Sequence, residues 1–289
     1  MSVKASQPIK DLRGKLIVDT GVDVLEWAQR GVPPSEHLKK KAKIKDTAQL
    51  MEDLNSVFEI PAYKPALEKW VPSFREWVGE MWAPSVMLEE LKLHRIRDPY
   101  AYQHVLVIAV MGVRLLELWI KAVPTVKKAF LAFLFHDIGK SRIAPAILDK
   151  SETLMEAEKR AIYDHPIASF VLNATYWGDA NHLCAEVALH HHEDRLGKGY
   201  PQGVKTSSLI LDILGAIDRF DALISDRPFR FKKFSQREAF DLLKKDADAG
   251  KMEPDVLKAL VALVRKEKIS DLKKIKLGTI GRENTPKIG

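Results

Sequence analysis

From about residue 85 onward, apolar positions recur with the three- and four-residue spacing of helices that bury one face. Residues 1 to about 60 instead alternate short β-prone runs with turn residues. The strongest helical stretch covers 101–119 and is expected to end near Pro124. Thr125 is expected to cap the next helix, which runs through Phe130-Leu131-Ala132-Phe133-Leu134-Phe135 to His136. Further helices are expected at about 152–164, 167–176, 180–192, 207–225, 235–247 and 254–267. Eight helices with almost no strand signal predict a mainly α domain. The stretch 193–206, with Gly197, Gly199, Pro201 and Gly203, reads as an irregular loop. Nearer the N-terminus, Lys15-Leu16-Ile17-Val18 and Val22-Asp23-Val24-Leu25 read as short strands. Gly31-Val32-Pro33-Pro34 breaks the chain, and Ser35 reads as the N-cap of a short basic helix. The expected organisation is a small mixed α/β module over 1–85, a multi-helix domain over 86–268 and a basic tail over 269–289.

Composition narrows the class. Hydrophobic residues make up 46% and charged residues 29% of the chain, which fits a globular protein with a sizeable core. The single cysteine, Cys184, rules out an intrachain disulfide and a paired-thiolate metal site, and a cytoplasmic setting is expected. No secretory signal is read at the N-terminus. The most apolar run, 105–113, extends only 15 residues back to Pro99 without a charge, so a buried helix is expected rather than a membrane span. The net charge of +7 is unevenly placed: residues 265–289 carry eight Lys/Arg against three Asp/Glu, and Lys39-Lys40-Lys41-Ala42-Lys43 forms a second basic run. Solvated segments of this kind argue against nucleic acid as the ligand and leave room for an anionic small substrate.

The candidate chemistry lies in the nine histidines. His136-Asp137 ends an apolar helix, His165-Pro166 stands at a helix junction, and His190-His191-His192-Glu193 opens the glycine-rich loop. Asp218 and Asp221 are three apart on one face of an apolar helix, where buried carboxylates need a cation. His104 sits in the most apolar helix. Each taken alone has an ordinary structural reading. Together, imidazoles and carboxylates suit Mn, Fe or Zn, and carboxylate bridging suits a two-metal site. His182 and His190 are expected to be structural, and His94 and His37 solvated.

The ordered motifs resemble the HD-GYP family, the bacterial cyclic di-GMP phosphodiesterases of the HD superfamily. They run Asp98-Pro-Tyr-Ala-Tyr-Gln-His104, His136-Asp-Ile-Gly-Lys140, His165-Pro166, His191-His-Glu-Asp-Arg-Leu-Gly-Lys-Gly-Tyr-Pro201 and Asp218-Arg-Phe-Asp-Ala-Leu-Ile-Ser-Asp-Arg-Pro-Phe-Arg230. The resemblance covers about residues 95–265. It implies an HD-type helical fold and hydrolysis of cyclic di-GMP to linear pGpG and onward to GMP. Two divalent metal ions, iron or manganese, are implied on His136, Asp137, His165, His191, His192 and Asp218, with Asp137 bridging and His104 completing the set. Lys140 is implied at the substrate phosphate as a catalytic residue with Asp137, and Arg227 and Arg230 as its guanidinium grip. Tyr200 and Pro201 are implied beside the substrate and at contacts with GGDEF-domain partners. Asp221 and Glu193 are candidates for orienting the histidines from behind. Three departures stand out: Tyr100 where some members place a third-metal glutamate, Leu196 where an aspartate is usual, and Ser169 where a glycine is usual.

Three other readings stay open. The chain could be an HD phosphohydrolase for another cyclic dinucleotide or nucleotide, because function lives in the site rather than the fold. It could be a weakly active cyclic di-GMP receptor, although no ligand position is lost. A basic interaction protein would explain the charge but not the histidines.

Overall fold

The computed structural model describes residues 2–33, 40–148, 150, 152–226, 232–269 and 272–273. The helix expected after Ser35, together with His37, Arg227 and Arg230, lies outside the described residues, as does most of the basic tail.

The chain opens with β1 (Ile9–Lys10) and β2 (Leu16–Val18), paired antiparallel, followed by α1 (Val24–Gln29). Then come β3 (Lys41–Lys43), α2 (Ala48–Ser56), α3 (Lys64–Leu67), α4 (Val71–Gly79) and β4 (Trp82–Pro84), which pairs antiparallel with β3. The helical remainder comprises α5 (Ser85–Arg97), α6 (Pro99–Leu116), α7 (Val123–Phe135), a 3-10 turn at Ile138–Arg142, α8 (Pro145–Leu148), α9 (Glu156–Tyr163), α10 (His165–Trp177), α11 (Leu183–His190), α12 (Leu209–Ile224), α13 (Gln236–Asp248) and α14 (Pro254–Arg265). The fold is mainly α, and among the described residues its few short strands lie in the N-terminal third.

Helix boundaries follow local chemistry. Asp98 caps α6 by accepting the Ala101 N–H at 2.8 Å, and Pro99 occupies a first-turn position that needs no donor. Proline opens α7, α10 and α14 in the same way. Gly178, with φ +70°, ends α10 in the left-handed conformation that costs glycine little. Three expectations change. Val22-Asp23-Val24-Leu25 is not a strand, because the Asp23 side chain accepts from the N–H groups of Leu25 and Glu26 and starts α1. Pro124 starts α7 rather than ending α6, and Thr125 lies inside the first turn of α7, not at its cap. Asp23→Ala is expected to cost about 1 kcal/mol, the usual worth of such a cap, read as a small fall in melting temperature.

Helix α6 is the centre of the molecule, packed between α7, α12 and α5, while α10 lies against α11 and the 3-10 turn. Its 18 residues are long and apolar enough to match a membrane span, more than the uncharged run alone offered, yet 72% of the stretch is buried inside the protein. The N-terminal residues share this core. Phe74 and Trp77 meet Phe130 of α7 edge to face at 5.8 and 5.7 Å, and Tyr63 meets Phe220 of α12 at 6.3 Å. The Leu12 N–H donates to the Tyr176 hydroxyl, which donates to the buried carboxylate of Glu90, itself paired with Arg142.

Candidate metal centre

Three histidines share one local device. Each stands at a helix terminus, and its Nδ1 meets the backbone carbonyl three residues earlier: His136 to Phe133 at 2.7 Å, His165 to Ile162 at 2.6 Å and His191 to Ala188 at 2.8 Å. A carbonyl only accepts, so Nδ1 carries the hydrogen and Nε2 is left with its lone pair. Those lone pairs converge. His165 Nε2 lies 3.0 Å from His191 Nε2 and 3.2 Å from His192 Nε2. Around the same point, the Asp137 carboxylate lies 3.5, 3.1 and 3.5 Å from the Nε2 atoms of His136, His165 and His191.

Neutral imidazoles turning lone pairs toward one another repel, and His136 Nε2 and Asp137 Oδ1 have no hydrogen-bond partner among the described residues. Such orphans cost about 1–3 kcal/mol each when buried. A cation relieves both faults at once. Donor atoms gather into three groups within 4.8 Å: His165, His191 and His192; His136, Asp137 and His191; and His104, His136 and Asp218. The groups share His136 and His191, so the donor set fits more than one cation, and mixed imidazole–carboxylate donors suit first-row divalent metals.

For His136, His165 and His192 the protonation preferences agree. Burial pushes His136 down to about 3, and it lowers His165 and His192 as well, leaving their lone pairs free for a metal. Burial pushes Asp137 up, but the Lys140 charge leads the contacts that outweigh it and hold the carboxyl well below its ordinary range. Lys140 Nζ donates to Asp137 Oδ2 at 2.5 Å. It reaches there from the 3-10 turn, since the helix does not continue past Phe135.

Asp218 and Asp221, one turn apart on α12, grip His104 from both sides. Its Nε2 is 2.8 Å from Asp218 Oδ1 and its Nδ1 2.5 Å from Asp221 Oδ2. Burial pushes His104 down, but these two carboxylates prevail and raise it to about 9. Asp221 thus orients His104. The Glu193 carboxylate meets no histidine ring among the described residues, contrary to expectation: it accepts the N–H groups of Gln202, Gly203 and Val204 at 2.6, 3.1 and 3.0 Å. It ties down the 193–206 loop, which has neither helix nor strand. Gly199 lets that loop close, because a Cβ there would stand 2.1 Å from the His192 carbonyl oxygen. The Tyr200 ring then stacks on His192 at 4.6 Å, with Pro201 next to it across a cis peptide bond.

Two features escaped the sequence reading. His94 is 1% exposed rather than solvated, with neither ring nitrogen hydrogen-bonded among the described residues, and burial lowers it to about 4. The uninformative pattern around it on α5 gave no signal for this. Ser169, the departure from glycine, accepts the Gly139 N–H at 2.9 Å and so ties the His136-Asp137 turn to α10. His190 and His182 have structural partners: His190 meets Glu186 O and Gln202 Oε1, and His182 stacks on Trp177.

Residues 115–256 match the family model described as HD domain. A Pseudomonas aeruginosa protein named cyclic di-GMP phosphodiesterase is 31% identical over 203 residues, covering 68% of this chain and 47% of that protein. A 3'3'-cGAMP-specific phosphodiesterase of Vibrio cholerae is 43% identical over 101 residues, covering 34% of this chain and 22% of its own length. Among solved structures, the HD domain of the L. monocytogenes phosphodiesterase PgpH, in complex with cyclic-di-AMP, superposes with a TM-score of 0.45 at 16% identity, covering 62% of this chain and 94% of that one. The chain spans less than half the length of the curated relatives it matches.

Proposed function

We propose that this chain, whose residues 115–256 match the HD-domain model and whose ordered motifs resemble the HD-GYP family, is a metal-dependent phosphodiesterase, cytoplasmic, which opens cyclic di-GMP to linear pGpG and then GMP. The observation that carries this reading is the convergence of imidazole Nε2 lone pairs on the buried Asp137 carboxylate. His136, Asp137, His165, His191, His192 and Asp218, with His104, would hold two divalent cations, iron or manganese. Bound there, the cations supply the Lewis acidity that lowers the pKa of water and offsets phosphoryl charge.

The protein's own groups supply the rest. Water adds to phosphorus as the 3′-oxygen departs, and the phosphoryl oxygens gain charge on the way. Lys140, held beside Asp137, offers its ammonium to those oxygens. Arg227 and Arg230, by their place in the motif, grip the dinucleotide phosphates as bidentate forks. Tyr200 keeps His192 from turning, and Glu193 keeps Tyr200 in place through the loop it ties. The same Gly199-Tyr200-Pro201 loop is our candidate contact for GGDEF-domain partners.

A second substrate is favoured by one observation, the 43% identity to a 3'3'-cGAMP-specific phosphodiesterase. Both can be tested together. The purified chain, reconstituted anaerobically with Mn or Fe, is offered cyclic di-GMP, 3'3'-cGAMP and cyclic di-AMP, and products are separated by ion exchange. Linear pGpG formed fastest is the expected result. Faster opening of 3'3'-cGAMP would transfer the assignment to that substrate. Tight cyclic di-GMP binding with two metals per chain and no product would make the protein a receptor.

A further inference from the structure

We propose that Tyr63, from the N-terminal segment and outside the matched HD domain, is a positioning residue of the metal centre that fixes Asp221 and through it the His104 ring; this rests on the metal-centre reading above. The chain of contacts is continuous. The Tyr63 hydroxyl donates to Asp221 Oδ1 at 2.7 Å, and Asp221 Oδ2 takes His104 Nδ1 at 2.5 Å. His104 Nε2 in turn faces Asp218 Oδ1 at 2.8 Å. All of it is out of water: Tyr63 is 1% exposed, Asp221 3% and His104 4%.

The accounting at Asp221 shows what Tyr63 contributes. Ser225 Oγ also donates to Oδ1, but at 3.1 Å. Without the Tyr63 hydroxyl, that oxygen keeps one longer donor, and a buried carboxylate short of donors rotates to find another. Rotation carries Oδ2 away from His104 Nδ1, and the ring then loses the acceptor that sets its plane. Burial and the neighbouring Asp221 raise the Tyr63 hydroxyl well above its ordinary value, so it stays a donor throughout the working range. Tyr63 itself is held rigidly: its N–H donates to Ile60 O at 2.9 Å and its ring packs edge-on against Phe220.

The same segment forms one wall of a cavity of about 590 Å³, in which Ile60, Pro61 and Tyr63 face His104, Asp221 and Phe234. The region read from sequence as a separate module therefore reaches the centre through a hydroxyl and a wall. Movement of residues 60–63 would reach the centre through Asp221 and His104.

The test uses Tyr63→Phe in the full chain, which keeps the ring packing and deletes one oxygen. Mn(II) affinity is measured by competition with a chelating dye, beside Tyr102→Phe as control. Tyr102 lies on α6, near His104, and donates a comparable bond to Asp53 at 2.8 Å away from the centre. Loss of one outer partner of a metal-binding histidine typically weakens the metal ten- to a hundredfold; with Tyr63 one bond further out, about tenfold at one of the two sites is expected. Tyr102→Phe should leave both affinities within about twofold. Unchanged affinities in a folded Tyr63→Phe protein would overturn the inference and leave the metal centre standing. An equal loss in both variants would also overturn it, since that marks a general loosening. A native protein that binds no Mn(II) would overturn the metal centre and this inference with it.

Discussion

Asp137→Asn is expected to lower turnover of the metal-loaded protein by about a thousandfold or more and to release metal from both sites. Asparagine keeps the size and planarity of the side chain, so the fold has little reason to change. What it loses is an anionic group that faces three imidazoles within 3.5 Å and has Lys140 as its counter-charge. The carboxyl is held well below its ordinary range chiefly by the Lys140 charge, which overcomes its burial. An amide in its place brings an N–H₂ group toward lone pairs that a cation must share. Cationic stabilisation of the reaction amounts to several kcal/mol, and a loss of about 4 kcal/mol is about three powers of ten in rate. The checks are kcat/KM on cyclic di-GMP and metal content by elemental analysis of the same sample. A variant that kept two metals and a tenth of the native rate would show that Asp137 is not shared between them.

The parts of this site that sequence could reveal are those whose position is fixed locally. His136, His165 and His191 each end or begin a helix, and each is aimed by a carbonyl three residues away, so motif and geometry coincide. Asp218 and Asp221 were legible for a related reason: the three-residue spacing on an apolar helix puts both on one face, and there they meet His104. The order of C-terminal helices was legible because each buries an apolar stripe, as on α12 and α14. What stayed hidden depends on contacts across the chain. Tyr63 stands 158 residues from Asp221, in a proline-punctuated stretch with no periodic pattern. His94 was expected to be solvated, yet packing closes over it. Glu193 was misassigned because adjacency to two histidines suggests a partner for them, whereas its backbone points the carboxylate into the loop. The run around Asp23 shows the same limit: two valines and a leucine suit a strand, but one capping carboxylate decides for a helix.

The second large effect is expected at Gly139, and it sets packing against the centre. A Cβ on Gly139 would lie 2.4 Å from the His165 carbonyl oxygen, 2.5 Å from the Ser169 nitrogen and 2.7 Å from Ser169 Oγ. Two of those atoms are backbone of α10 and cannot swing aside, so Gly139→Ala must lift the 3-10 turn off the helix. Overpacking of this kind costs about 1–3 kcal/mol or more, which for a chain of this size reads as a fall of several degrees in melting temperature. The displacement also falls on the site: Asp137 precedes the glycine by two residues and loses its approach to His165, so metal content should drop as well. Gly215→Ala is the matched opposite. Gly215 lies within α12 with nothing within 4 Å of a Cβ, and its φ is not positive. Alanine there removes the entropic cost of a helical glycine, about 0.5–1 kcal/mol, so the melting temperature should rise by a few degrees with metal content unchanged. Melting curves and metal content of the two variants, measured side by side, separate a glycine needed for close approach from one that is not. If Gly139→Ala melted with the native protein and kept its metal, the turn would not owe its position to that contact, and Ser169 would have to hold it alone.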